Sequence, residues 1–177
     1  MGDYVIAMAR PRDLPALAEV ELAAARLLAG HAPPSVLEEV TGLDELRAAQ
    51  AEGRLWVALV DDVPVGFAHV DMLDGAPHLE EIDVHPQHGR RGLGTALMRA
   101  VCDWAARAGH GGVTLTTFRD LAWNMPFYAR LGFEELPPDE ISPAVAAVVR
   151  AETARGLDPA RRVTMRWPPR RSSKRDR

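Results

Sequence analysis

The segment Val84-His85-Pro86-Gln87-His88-Gly89-Arg90-Arg91-Gly92-Leu93-Gly94-Thr95-Ala96-Leu97 sets three glycines and two arginines where a strand-like run gives way to apolar residues at helical spacing. Glycines let an anion come close to the backbone, the first N–H groups of a helix lack intrahelical acceptors, and the macrodipole adds partial positive charge there. Arg90 and Arg91 would add charge-assisted bonds. Phosphate binding is the chemistry this loop supports; the competing reading is a tight strand-to-helix turn with both arginines in solvent. A Walker loop needs Gly-Lys-Ser/Thr, which is absent, and a dinucleotide fingerprint belongs near the first strand with an acidic residue after the next one. The single cysteine, Cys102, sits inside the following helical run without an evident base partner, and no Cys and His residues have structural-zinc spacing, so no metal is expected.

The elements around this loop follow from periodicity. Tyr4 to Ala9 reads as a strand, Asp13 opens a first helix, and a second helix is expected from about Ser35 to Ala51 after the Gly30-to-Pro34 break. Leu55 to Val60 and Val63 to Met72 read as a hairpin about Asp61-Asp62, and His78 to Val84 as a third strand ended by Pro86. Leu93, Leu97, Val101 and Trp104 make the helix after the loop, and Val113 to Thr117 is β-branched; such a strand, helix, strand unit places its strands parallel. A short helix over about Asn124 to Leu131, a strand from Phe133 to Leu136, a helix from Ser142 to Arg155 and a last strand from Val163 to Trp167 complete the chain. Side chains alternate along a regular strand, which puts His78, Glu80, Ile82 and Val84 on one face and Leu79, Glu81 and Asp83 on the other.

At 177 residues, 47% hydrophobic and 26% charged, the chain has the size and composition of one soluble globular domain. One cysteine forms no internal bridge, which excludes a secreted disulfide scaffold. No apolar run approaches the roughly 20 residues of a membrane span, and the N-terminus carries no basic segment followed by an apolar signal core, so a cytoplasmic protein without membrane contact is expected. The net charge of −4 argues against wholesale nucleic-acid binding. Residues 169–177 read as a basic, disordered tail appended to a single domain over 1–168.

The order of elements, the segment Gly89-Arg90-Arg91-Gly92-Leu93-Gly94 and the downstream Tyr128-Ala129-Arg130-Leu131-Gly132-Phe133 together resemble the GNAT acetyltransferase superfamily over roughly Tyr4 to Leu136. The resemblance implies an α/β fold with a central twisted mixed sheet and helices on both faces. It implies an N-acetyltransferase that passes the acetyl group of acetyl-CoA directly to a primary amine of a small molecule or peptide, with a non-catalytic acyl-CoA sensor as the alternative. A homodimer is compatible with this reading.

By the same resemblance, Gly89, Arg90, Arg91, Gly92, Leu93, Gly94 and Thr95 hold the pyrophosphate, while Ile82, Asp83 and Val84 pair their backbone with the pantetheine arm. Tyr128 takes the place of the proton donor to the CoA sulfur. The base lies four or six residues before Val84, at Glu80 or His78. Asn124, one turn before Tyr128, either touches the cofactor or caps the helix that Pro126 enters. Two departures stand out: Gly89 replaces the usual Gln or Arg three residues before Gly92, and Leu121 occupies the place of an asparagine seven residues before Tyr128. Glu80, Glu81 and Asp83 tilt the acceptor toward a cationic amine. The segments His31 to Ser35 and Pro137 to Ser142 spell no recognisable acceptor code.

Overall fold

The computed structural model describes residues 4–168, so the basic segment 169–177 lies outside the described residues. Both hairpin turns are set by residues that tolerate the left-handed region. Asp61 and Asp62 close one and Asp74 and Gly75 the other, all with positive φ, as two-residue turns between twisted strands require. They join β2 (Leu55–Val60), β3 (Val63–Leu73) and β4 (Ala76–Val84) into a meander beside β1 (Tyr4–Met8). With β5 (Val113–Phe118), β6 (Glu134–Glu135) and β7 (Arg162–Trp167) they form one mixed sheet in the order β1-β2-β3-β4-β5-β7-β6, in which only β4 and β5 run parallel.

Helices cover both faces. On one side α4 (Leu93–Arg107) buries Leu93, Leu97, Met98, Val101 and Ala105 against Ala68, Val70, Leu79 and Leu115. On the other, α1 (Leu17–Ala25) and α3 (Leu43–Ala51) place Leu17, Val20, Leu46 and Ala49 over Leu55, Val57 and Phe67. The helix expected from Ser35 to Ala51 is broken into α2 (Pro34–Leu37) and α3, because Gly42 starts α3 and the Thr41 backbone N–H is drawn to the Glu21 carboxylate of α1. The remaining helices are α5 (Met125–Arg130) and α6 (Pro143–Ala154), the latter capped by the Ser142 hydroxyl, which accepts from the Val145 N–H.

One irregularity corrects the simple alternation expected along β4. His69 of β3 lies opposite Glu81, but Val70 lies opposite Leu79, so Glu80 is an extra residue: a β-bulge. The bulge reverses parity. Leu79, Ile82 and Val84 share the α4 face with Val70, Ala68 and Gly66, whereas His78, Glu81 and Asp83 share the α1 face with Asp71, His69 and Phe67. His78 is therefore parted from Ile82 and Val84, with which the regular pattern grouped it.

The end of β4 is held against β3 at close range. A Cβ on Gly66 would fall 2.8 Å from the Asp83 carbonyl oxygen and 3.2 Å from Val84 Cγ2. Gly66→Ala is expected to cost about 1–3 kcal/mol through forced strand separation and to lower the Tm measured by circular dichroism. An unchanged Tm would show that β3 and β4 part there without cost.

Candidate active site

The parallel pairing of β4 and β5 is short: His78 meets Thr114 and Leu79 meets Leu115, and no further pairs form. Beyond them the strands part, leaving the β5-facing backbone edge of Glu80 to Val84 without a strand partner. A cleft of about 930 Å³ runs through the gap, lined by Leu79 to Val84 on one side and Thr116, Thr117 and Phe118 on the other.

At one end of the cleft stands the glycine loop. Pro86 to His88 form a single 3₁₀ turn, Arg90 adopts φ +59°, and Gly92 adopts φ +81° as the residue preceding α4. Gly92 brings no side chain to cap the helix, so the first-turn N–H groups of Leu93, Gly94 and Thr95 are left without a capping side chain, and all three residues line the cleft. Gly89 and Arg90 also line it; Arg91 does not. Instead the Arg91 carbonyl accepts a 2.6 Å bond from the Tyr4 hydroxyl, which ties the loop to β1. At Gly92 any side chain would be strained by the backbone alone.

α5 forms the floor. Phe127 packs against Gly94, with a ring carbon 3.5 Å from where a glycine Cβ would stand, and Tyr128 is buried between Phe127 and Phe133 while still lining the cleft. Burial, followed by the carboxylates of Glu81 and Asp83, holds the Tyr128 phenol well above its ordinary range, so it is a protonated donor at neutral pH. Asn124 immediately precedes α5, yet its side chain does not cap the helix. Its Nδ2 donates to Thr117 Oγ1 at 2.9 Å, and its Oδ1 is buried without a partner in a residue that lines the cleft.

Carboxylates crowd the opposite side. Glu80 is solvent-accessible through the cleft, but surrounding protein, then Asp71, Glu45 and Glu152, raise its pKa. Burial and the neighbouring Glu21 and Glu80 push Glu81 up to about 8, and burial with Glu81 and Glu21 raises Asp83 well above the usual carboxylate range. Glu21 of α1 is 8% exposed and lines the cleft. Its carboxylate accepts from the Thr41 N–H at 2.9 Å and the Thr41 hydroxyl at 3.0 Å. The sequence held a signal for it: at the helical face of Leu17, Val20 and Ala24, only position 21 is charged.

His78 lies outside this gathering. It is 1% exposed, its Nδ1 is 2.8 Å from Thr114 Oγ1, burial lowers its pKa to about 4, and it does not line the cleft. Cys102 is also remote: it lies on the buried face of α4, packed in the core, and burial pushes its thiol up to about 12. Sequence spacing did not expose the contribution of α6 and β7, where Arg162 Nη2 donates to Glu152 at 2.7 Å and to Thr116 Oγ1 at 3.0 Å, both acceptors lining the cleft. Nor did it expose Glu45, His69 and Asp71, whose ligand-type atoms lie within 4.8 Å of one another; there the Arg54 guanidinium already stands 3.4 Å from an Asp71 oxygen. Among the described residues no helix is long and apolar enough to cross a membrane.

Comparison with known proteins bears on this geometry. Residues 22–133 match the model of the acetyltransferase (GNAT) family. A mycothiol acetyltransferase of Nocardiopsis dassonvillei is 35% identical over 152 residues, or 72% of this chain and 45% of that protein, so the chain spans less than half the length of this curated relative. The PaiA N-acetyltransferase of Thermoplasma acidophilum, solved in complex with coenzyme A, superposes with a TM-score of 0.70 at 17% identity, over 94% of this chain and 99% of that one. A GNAT family acetyltransferase of Brucella melitensis, solved in complex with acetyl-CoA, gives a TM-score of 0.57 at 25% identity, over 76% of this chain and 84% of that one. The matched span takes in both strands of the splay, the glycine loop and Tyr128, and the chain belongs to the acetyltransferase (GNAT) family.

Proposed function

We propose that this chain transfers the acetyl group of acetyl-CoA directly to an amine. The observation that carries the reading is the alignment of three features along one cleft: the uncapped start of α4, the unpaired edge of β4 and the protonated Tyr128. The N–H groups of Leu93, Gly94 and Thr95, with the Arg90 guanidinium at the mouth, suit a pyrophosphate. The free backbone groups of Ile82, Asp83 and Val84 suit the amides of a pantetheine arm, which would complete the sheet edge as a strand does. Asn124 Oδ1 offers one more acceptor in the cleft.

With the arm laid along β4, the thioester falls near Glu80 and Tyr128. The amine nitrogen attacks the thioester carbon, the C–S bond breaks, and the departing thiolate takes the Tyr128 proton, which solvent restores. The proton that the incoming ammonium sheds to become the attacking amine passes to a carboxylate, directly or through water. Glu80 fits that role because the bulge delivers it to the cleft, and Glu81 is the adjacent alternative; His78, enclosed and bonded to Thr114, is the weaker choice. The buried, high-pKa Cys102 supports direct transfer over an acetyl-cysteine intermediate.

Replacing Tyr128 with Phe is expected to lower kcat by about 100-fold while leaving the CoA dissociation constant within a factor of about three; a non-catalytic CoA sensor would show no turnover to lose. The acid limb of kcat/KM should rise with pH as the carboxylates deprotonate. Because burial raises those carboxylates, that limb should lie above the ordinary carboxylate range, and no descending limb from Tyr128 should appear below about pH 10. Glu80→Gln should reduce kcat by roughly 10–100-fold and displace the limb. If Glu80→Gln, Glu81→Gln and His78→Gln all keep the parent rate and profile, the amine arrives already deprotonated and the base assignment is wrong.

A further inference from the structure

The carboxylates of the cleft outnumber what one attacking amine needs. Glu21, Glu80, Glu81 and Asp83 line a single cavity, and none makes an ion pair with an arginine, lysine or histidine among the described residues. Other carboxylates lining the same cavity are paired, Glu39 with Arg155 and Glu152 with Arg162. Parity places Glu81 and Asp83 on the α1 face of β4, the face on which α1 holds Glu21. Glu21 is more than nine-tenths buried yet reaches the cleft, and Thr41 fixes both of its oxygens through neutral donors that supply no countercharge. Anionic groups gathered at low dielectric are stable only with protons or a cation among them.

Resting on the acetyltransferase reading, we infer that the acceptor is a small molecule with at least two protonated nitrogens, one placed to attack and another held by Glu21 together with Glu81 and Asp83. The cavity disfavours the opposite charge pattern. The two arginines that α6 and β7 bring to its wall are already bound to Glu39 and Glu152, while Arg90 and Arg130 belong to the glycine loop and α5 beside the start of α4. An acceptor with a carboxylate near its amine, as in a free amino acid, would meet four carboxylates and no unoccupied cation on that wall. A second nitrogen also accounts for Glu21, which the transfer chemistry does not use.

The test is a matched series of n-butylamine, 1,4-diaminobutane and 4-aminobutanoic acid, extended with diamines of three to six carbons. It is run as acetyl-CoA turnover and as calorimetric binding to the CoA-loaded protein. A diamine is expected to exceed the monoamine by roughly 10–100-fold in kcat/KM and in affinity, with the amino acid weakest. Glu21→Gln, which keeps an oxygen for Thr41, should cut the diamine-over-monoamine preference at least tenfold, mainly through KM, and Asp83→Asn should cut it in the same direction. Equal use of the monoamine and the diamine, or a preference untouched by both variants, would overturn the inference while leaving acetyl transfer standing. Should no amine be turned over, the transfer reading fails, and the binding series still decides whether the carboxylates select a dication. A peptide bearing a basic second residue that binds better than every diamine would also count against a small acceptor.

Discussion

Everything in the site depends on two parallel strands that stop pairing after two residue pairs. Were β4 and β5 bonded to their ends, the sheet would be closed and no chain could lie between them. Their separation leaves the backbone of Glu80 to Val84 without a strand partner on one side and turned to the cleft. The gap therefore favours an occupant that offers amide groups at strand spacing.

The parting is maintained from both sides. On β4, the close approach of Gly66 fixes Asp83 and Val84 to β3, and the Glu80 bulge bends the strand at the point where pairing to β5 ceases. On β5, β7 pairs along its whole length, and Arg162 with Glu152 holds Thr116 from behind. The long connection from β6 to β7, which carries α6, is thus part of the site. Its ion pair with Glu39 reaches across to the segment between α2 and α3, while Phe118, Leu121 and Leu157 pack with Leu28 and Val36 beneath. This wall of the cleft is assembled from distant parts of the chain.

That assembly explains what could be read in the sequence. The glycine loop was legible because its demands are local: left-handed Gly92, an apolar-periodic helix after it and a strand before it. The place of Tyr128 was legible only through the resemblance carried by Tyr128 to Phe133, and the hairpin of β2 and β3 through Asp61-Asp62, whereas Asp74-Gly75 marked a break before the next strand without showing that β3 and β4 pair. The bulge was not, since nothing in Leu79-Glu80-Glu81 distinguishes an extra residue from a regular one; the register is decided by Val70 and His69 across the strand pair. That single residue moved His78 away from the faces of Ile82 and Val84. The break between α2 and α3 was hidden for a similar reason, as it depends on Glu21 capturing Thr41 twenty residues away. Glu21 itself was visible as a charge on an apolar helical face, but its purpose depends on which strand lies beneath it.

Hydrogen–deuterium exchange with and without coenzyme A tests the central claim most directly, because it reads the backbone groups that the parted strands leave free. Bound coenzyme A should slow exchange in two separate places, residues 80–84 of β4 and residues 92–95 at the start of α4, with little change in β1, β2 or α3. Tight binding that protects neither segment, or protection confined to the loop while the edge of β4 continues to exchange freely, would contradict the view that the ligand completes the opened sheet.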